Sequence, residues 1–243
     1  MHKVVIVTGG GRGIGAATAS LLATKGYRVC VNYRKDHAAA NAIVAEINAN
    51  GGTAIAHQAD VSIEDEVIAM FESVRQQFGQ VTHLVNNAGI LFTQSRLVDI
   101  DYARFNKVMT TNVGSCFLCC KAFINQLDGP GAIVNVSSAA SRIGAPFEYI
   151  DYAASKGAMD SLTKGLSLEM AEQGIRVNGV RPGCIYTDMH ADGGEPDRVD
   201  RLAPNLPLKR GGTPLEVAES IAWLLSDEAS YVTGTFIDIA GGR

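Results

Sequence analysis

Seven short runs of apolar and β-branched residues recur along the chain, and a helix-length stretch lies between most neighbouring pairs. The runs are "KVVIVT" (3–8), "RVCVNY" (28–33), "TAIAHQ" (53–58), "HLVNN" (83–87), "AIVNVS" (132–137), "RVNGVR" (176–181) and "TFIDIA" (235–240). Patterning between them predicts helices near 13–25, 37–49, 63–77, 102–126, 152–173 and 214–226. Several runs are continuously apolar, as strands buried on both faces of a parallel sheet are. End-to-end alternation of this kind predicts one α/β domain over 1–243: a doubly wound, mostly parallel, seven-stranded Rossmann-type sheet with helices on both faces. No linker, repeat or low-complexity segment divides it. One irregular stretch breaks the rhythm, about 183–213, "GCIYTDMHADGGEPDRVDRLAPNLPLKRGG". So long a piece inside a compact domain is usually functional, and a substrate lid is the expectation.

Charge and composition exclude several classes of function. The net charge is -4 with acids and bases interspersed, which leaves no basic field for nucleic acid and no polybasic membrane patch. The longest apolar runs are strand-length, far short of the roughly 20 residues of a membrane span. "MHKVVIVTGG" reaches a glycine turn too soon for a signal peptide and reads as a first strand. Cys30, Cys116, Cys119, Cys120 and Cys184 are an odd set without framework spacing, which points to a reducing cytoplasm. Cys116 and Cys119 have redox-pair spacing, but they lie in the apolar "GSCFLCCKAF", where packing is the better reading. His2, His37, His57, His83 and His190 show no ligand spacing with Cys, Asp or Glu, so no metal site is expected.

"TGGGRGIG", Thr8 to Gly15, follows the first strand directly and opens the first helix. Alone, such an octamer could be a plain strand-to-helix turn. After strand one of a βαβ unit, it predicts a dinucleotide site: glycines let the backbone approach a pyrophosphate resting on the helix N-terminus. An acid at the end of strand two would bind a ribose 2′-hydroxyl. Here Tyr33 stands in that place, Arg34 follows, and Asp36 comes three residues after Tyr33. Arg12 in the glycine loop is a second cation. Two guanidiniums suit a 2′-phosphate, which favours NADP(H) over NAD(H), unless both are simply solvated.

The ordered motifs "TGGGRGIG", "NNAG" (86–89), "TNV" (111–113), "VNVSS" (134–138), "YAASK" (152–156) and "RPGCIYTDM" (181–189) resemble the short-chain dehydrogenase/reductase family. The likeness runs through the whole chain and is nearest to 3-oxoacyl-carrier-protein-reductase-like and glucose-1-dehydrogenase-like bacterial oxidoreductases. The resemblance implies an enzyme acting on CH–OH donors with NAD(P) as acceptor. It implies that Gly9, Gly13 and Gly15, with Ile14 beside them, hold the pyrophosphate. Asp60 and Val61 would hold the adenine, Asn87, Ala88 and Gly89 the adenosine side, and Pro182, Gly183, Ile185 and Thr187 the nicotinamide. Asn112, Ser138, Tyr152 and Lys156 would form the catalytic group. The family also implies a homotetramer or homodimer, with the helices near 102–126 and 152–173 as the dimerising pair.

Physical chemistry supports that group. Tyrosine at its ordinary pKa of about 10 is a poor base at neutral pH, and bringing it near 7 takes roughly 4 kcal/mol. Tyr152 and Lys156 are i, i+4 and share a helix face, so the ammonium supplies part of that preference and oxidised nicotinamide more. Lys156 can also hold the nicotinamide ribose hydroxyls. Tyr149 is two turns from Lys156, near or before the helix start, and reads as a pocket wall or surface aromatic. Ser137 and Ser138 end a strand and point to opposite faces, so only one can meet Tyr152; the family pattern selects Ser138. Asn112 lies mid-helix, where it could simply bend the helix; the resemblance implies a proton relay through water to Lys156. The chain appears one residue longer than many relatives between Ser138 and Tyr152, within "RIGAPFEYID" (142–151). Candidate pocket residues are Ser95, Arg142, Tyr149, Cys184, Tyr186 and His190. The competing reading is a non-catalytic NADPH-binding sensor on the same fold; the intact Ser/Tyr/Lys/Asn set argues against it.

Overall fold

A computed structural model of the chain describes residues 3–243; His2 lies outside them. All seven strands form within a residue of their expected ends: β1 (Val4–Val7), β2 (Arg28–Tyr33), β3 (Thr53–Gln58), β4 (His83–Asn86), β5 (Gly131–Val136), β6 (Ile175–Pro182) and β7 (Phe236–Ile239). They make one parallel sheet in the order β3-β2-β1-β4-β5-β6-β7. The alternation of strand side chains sends β1 both ways. Val5 and Val7 join Leu22, Ile47, Val217 and Ile221 on one face, while Val4 and Ile6 join Met70, Phe71, Phe123 and Met159 on the other. Each such side chain taken from water contributes roughly 1.5–3 kcal/mol, so both faces need helical cover.

That cover comes from α1 (Gly13–Thr24), α2 (His37–Ala49) and α10 (Pro214–Leu225) on the first face. The second is covered by α3 (Glu64–Phe78), α5 (Ser115–Gln126) and α7 (Ile150–Glu169), with α4 (Tyr102–Met109) packed on α7. Local chemistry sets their starts. Asp36 caps α2 by accepting from the Ala39 N–H at 2.9 Å. Thr213 and Glu216 cap α10 reciprocally, with proline at its first position.

The structure corrects three expectations. The helix expected over 102–126 is two helices joined by a π-helical turn, Thr110–Gly114, with Asn112 at its centre. The last helical helping of 152–173 is separate: α7 stops at Glu169 and a 3₁₀ turn occupies Ala171–Gln173. The stretch 183–213 is not structureless, for it carries α8 (Met189–Asp192) and α9 (Arg198–Leu202). A further short helix, α6 (Ala140–Ile143), follows β5. The 183–213 segment leaves and rejoins the body at one point. Gly212 N–H donates to the Cys184 carbonyl at 2.9 Å and Tyr186 N–H donates to the Gly212 carbonyl at 3.0 Å. No helix of the described residues is long and apolar enough to cross a membrane.

Candidate active site

Strand order reverses between β1 and β4, and the chain leaves their carboxyl ends in opposite directions, which opens a crevice there. The glycine loop forms its floor, held by uncharged groups. Asn87 donates its side-chain N–H to the carbonyls of Thr8 at 2.9 Å and Gly9 at 3.1 Å. Thr8 Oγ1 accepts from the Asn87 and Ala88 N–H groups, both at 3.0 Å. The Gly9 N–H donates to Asn32 Oδ1 at 3.3 Å, while Asn32 Nδ2 donates to the Ala59 carbonyl at 3.1 Å. Asn32 was missed in the sequence because a polar residue inside an apolar strand leaves no pattern of its own.

Glycine is needed where the loop turns. Gly9 and Gly13 have φ of 61° and 54°. A Cβ on Gly15 would stand 2.3 Å from the Gly9 carbonyl oxygen and 2.6 Å from Asn87 Nδ2. Helix α1 opens with no side-chain cap and no acid in its first turn, so its first N–H groups are left for an anion. This cradle fits a pyrophosphate.

At the end of β2, Tyr33 is buried with its ring edge-on to His37 at 5.7 Å. The Asp36 carboxylate is committed to the α2 cap. Arg34 stands 3.8 Å from Asp60 and remains well exposed. Arg12 is paired with Asp192 of α8.

Ser138, Tyr152 and Lys156 meet in a cavity of about 140 Å³, which they line with Ile14, Asn87 and the Pro182, Gly183, Ile185 and Thr187 segment. Lys156 is 3% exposed. Its Nζ donates to the Val136 carbonyl at 2.8 Å, lies 3.6 Å from Met159 Sδ, and sits 5.6 Å from the Tyr152 ring centre. Burial pulls its pKa down to about 8, against the neighbouring Cys116 and Asp160. Burial pushes the Tyr152 hydroxyl up to about 12, only partly opposed by its hydrogen bond with Ser138. Ser137 turns the other way, its Oγ donating to the Lys156 carbonyl at 3.3 Å.

Asn112 is wholly buried behind this wall. Its Oδ1 accepts from the Ile90 N–H at 2.8 Å, and its Nδ2 donates to the Ile90 carbonyl and Ser155 Oγ, each at 3.0 Å. The amide thus ties the loop after β4 to α7 and does not bond Lys156 directly. Gly89 lies between them, since a Cβ there would be 3.4 Å from Asn112 Oδ1 and 3.6 Å from Lys156 Nζ. Arg34, Asp60 and Val61 are absent from the cavity wall and lie around the ends of β2 and β3.

Among the pocket candidates, Tyr149, Cys184 and His190 line the cavity. Ser95 instead accepts from Arg104 at 3.0 Å, Tyr186 donates to Asp200 at 2.7 Å, and Arg142 pairs with Asp238. Tyr149 stands just before the start of α7 without capping it, its ring buried and its hydroxyl without a partner. Before it, Gly144, Ala145 and Phe147 all take positive φ, of 72°, 43° and 66°. Two non-glycine residues so placed store strain beside the site. The wall also holds Glu148 and Arg198, paired at 2.5 and 2.9 Å and unforeseen in the sequence. Among the described residues no group of three or more His, Cys, Asp or Glu could hold a metal.

A family model described as enoyl-(acyl carrier protein) reductase matches residues 9–243. The uncharacterized oxidoreductase YgfF of Escherichia coli K12 is 57% identical over 245 residues, spanning 99% of both proteins. The 3-oxoacyl-[acyl-carrier-protein] reductase FabG of Staphylococcus epidermidis is 39% identical over 244 residues, spanning 100% of this chain and 99% of FabG. The crystal structure of a short chain dehydrogenase from Burkholderia cenocepacia in complex with NADP superposes with a TM-score of 0.91 at 35% identity, covering 99% of this chain and 97% of the other.

Proposed function

The chain belongs to the short-chain dehydrogenase/reductase family, and from that premise we propose that it is an NADPH-preferring oxidoreductase interconverting a carbonyl and a secondary alcohol, with Tyr152 as general acid and base. The observation that carries this reading is the convergence of Ser138, Tyr152 and Lys156 in one cavity with the Pro182–Thr187 segment. The bound cofactor would supply or accept the hydride. Gly9, Gly13, Ile14 and Gly15 would hold its pyrophosphate, Asp60 and Val61 its adenine, and Asn87, Ala88 and Gly89 its adenosine side. Pro182, Gly183, Ile185 and Thr187 would flank the nicotinamide, and Lys156 its ribose hydroxyls. Preference for NADPH is supported by Asp36, which is engaged as a helix cap, and by Arg12 and Arg34 around the end of β2.

Tyr152 keeps its proton at neutral pH because burial pushes it up to about 12. That is the form that donates to a carbonyl oxygen during reduction. Ser138 orients the same oxygen. Lys156 provides a buried positive charge beside the tyrosine, and Asn112 positions α7, passing protons toward Lys156 through water. The cytoplasm suits five buried free thiols. Exposed apolar side chains on the expected dimerising helices, Tyr102, Phe117 and Leu168, support a homodimer or homotetramer.

The test is oxidation of NADPH and of NADH with a panel of ketones, using wild type and Tyr152→Phe. Turnover with NADPH is expected on at least one ketone, falling about 100- to 10,000-fold in Tyr152→Phe without loss of NADPH binding. A variant with most of its activity intact would refute the role of Tyr152.

A further inference from the structure

The glycine loop and the lid are joined by one ion pair, Arg12 with Asp192, between residues 180 positions apart. Arg12 occupies the cap position of α1, but its side chain caps nothing there. Its guanidinium feels Asp188 and Asp36 as well as Asp192, which places it between α8 and the end of β2. Gly11, just before it, packs on Ala40 of α2, keeping the loop against that same corner. The second cation of the corner, Arg34, has its nearest carboxylate at 3.8 Å and no closer partner.

A phosphate on the adenosine ribose would therefore meet an arginine already held by a carboxylate. It would share a guanidinium whose Nη2 already donates to Asp192, and it would bring like charge toward Asp192. A plain ribose hydroxyl makes neither demand and can leave the pair in place. We infer that Asp192 is a cofactor-specificity residue: it competes with the 2′-phosphate for Arg12 and holds NADPH preference below what Arg12 and Arg34 alone would give. The inference rests on the NADPH reading of this site. A ligand moves an equilibrium only through its differential interaction with the two arrangements, and here only the phosphorylated cofactor has one.

Dissociation constants for NADPH and NADH should be measured by nucleotide fluorescence on wild type, Asp192→Asn, Arg12→Ala and the double variant. Asp192→Asn is expected to tighten NADPH roughly three- to tenfold and leave NADH unchanged, as an exposed charge interaction allows. In the Arg12→Ala background the same change should do nothing. In about 0.5 M salt the gain should shrink, because the pair is open to solvent. Asp192→Ser should behave as Asp192→Asn does, which separates removal of charge from any effect of the amide. Equal tightening of both nucleotides, weaker NADPH binding, or no change while wild type still prefers NADPH would overturn the role of Asp192 alone. If wild type binds NADH as tightly as NADPH and Arg12→Ala alters neither, the NADPH reading itself fails and this role falls with it.

Discussion

The glycine loop and the 183–213 segment, which we propose is a lid, border the same crevice and are joined by the Arg12–Asp192 pair, yet they are held by different means. Thr8, Asn32 and Asn87 fix the glycine loop with uncharged, partly buried hydrogen bonds, and Gly15 lets the backbone close to a distance that forbids any side chain. The lid depends on charge: Arg12 with Asp192, Arg198 with Glu148 and Glu195, Arg201 with Glu195. The Arg12 and Arg201 guanidiniums are exposed and their pairs individually weak, whereas Arg198 is buried in its pairs with Glu148 and Glu195. A buried neutral network is strong because breaking it leaves polar groups unpaired.

That contrast can be attacked from the rigid side first. Gly15→Ala drives a Cβ onto the Gly9 carbonyl, so it should destabilise the fold by about 1–3 kcal/mol or more and abolish NADPH binding. Thermal unfolding and nucleotide titration check both; wild-type values in both would show that the loop yields as the lid does. The seam between the walls answers to pH. Lys156, drawn down to about 8 by burial, is charged below that pH and loses its proton above it. Tyr152, pushed up to about 12, stays protonated throughout that range. The kcat/KM for carbonyl reduction should therefore be level below about pH 8 and fall about tenfold per unit above it. A level profile up to pH 10 would show that the ammonium is not required. The smallest effect belongs to the lid's rim. Arg201→Gln removes one exposed pairing with Glu195, and its melting temperature should stay close to wild type, with any difference vanishing at high salt. A large drop would mean the lid is as tightly built as the floor.

How much of this was legible in the sequence follows the same division. Strands such as "VVIV" announce themselves because burial on both faces demands unbroken apolar residues, and Tyr152 was separable from Tyr149 by its spacing to Lys156 alone. Cys116, Cys119 and Cys120 were readable as packing, and they are buried thiols. The π turn at Asn112 was hidden because one inserted residue hardly disturbs a helical pattern. The helices α6, α8 and α9 are four or five residues long, too short to show a period or to be stable without tertiary support. Glu148–Arg198 and Arg12–Asp192 join residues 50 and 180 positions apart, and no local pattern encodes such a partner. The rise of Tyr152 depends on how deeply its hydroxyl is desolvated, which spacing does not report.

The two hydrogen bonds at Cys184, Tyr186 and Gly212 close the 183–213 segment into a loop. A segment that departs and returns at one point can be lengthened, shortened or exchanged without shifting a strand. Doubling such a loop costs only about 0.6 kcal/mol in closure entropy. The piece between Ile185 and Gly212 carries Thr187 and His190 of the cavity wall, so exchanging it would change the expected nicotinamide wall and the pocket together.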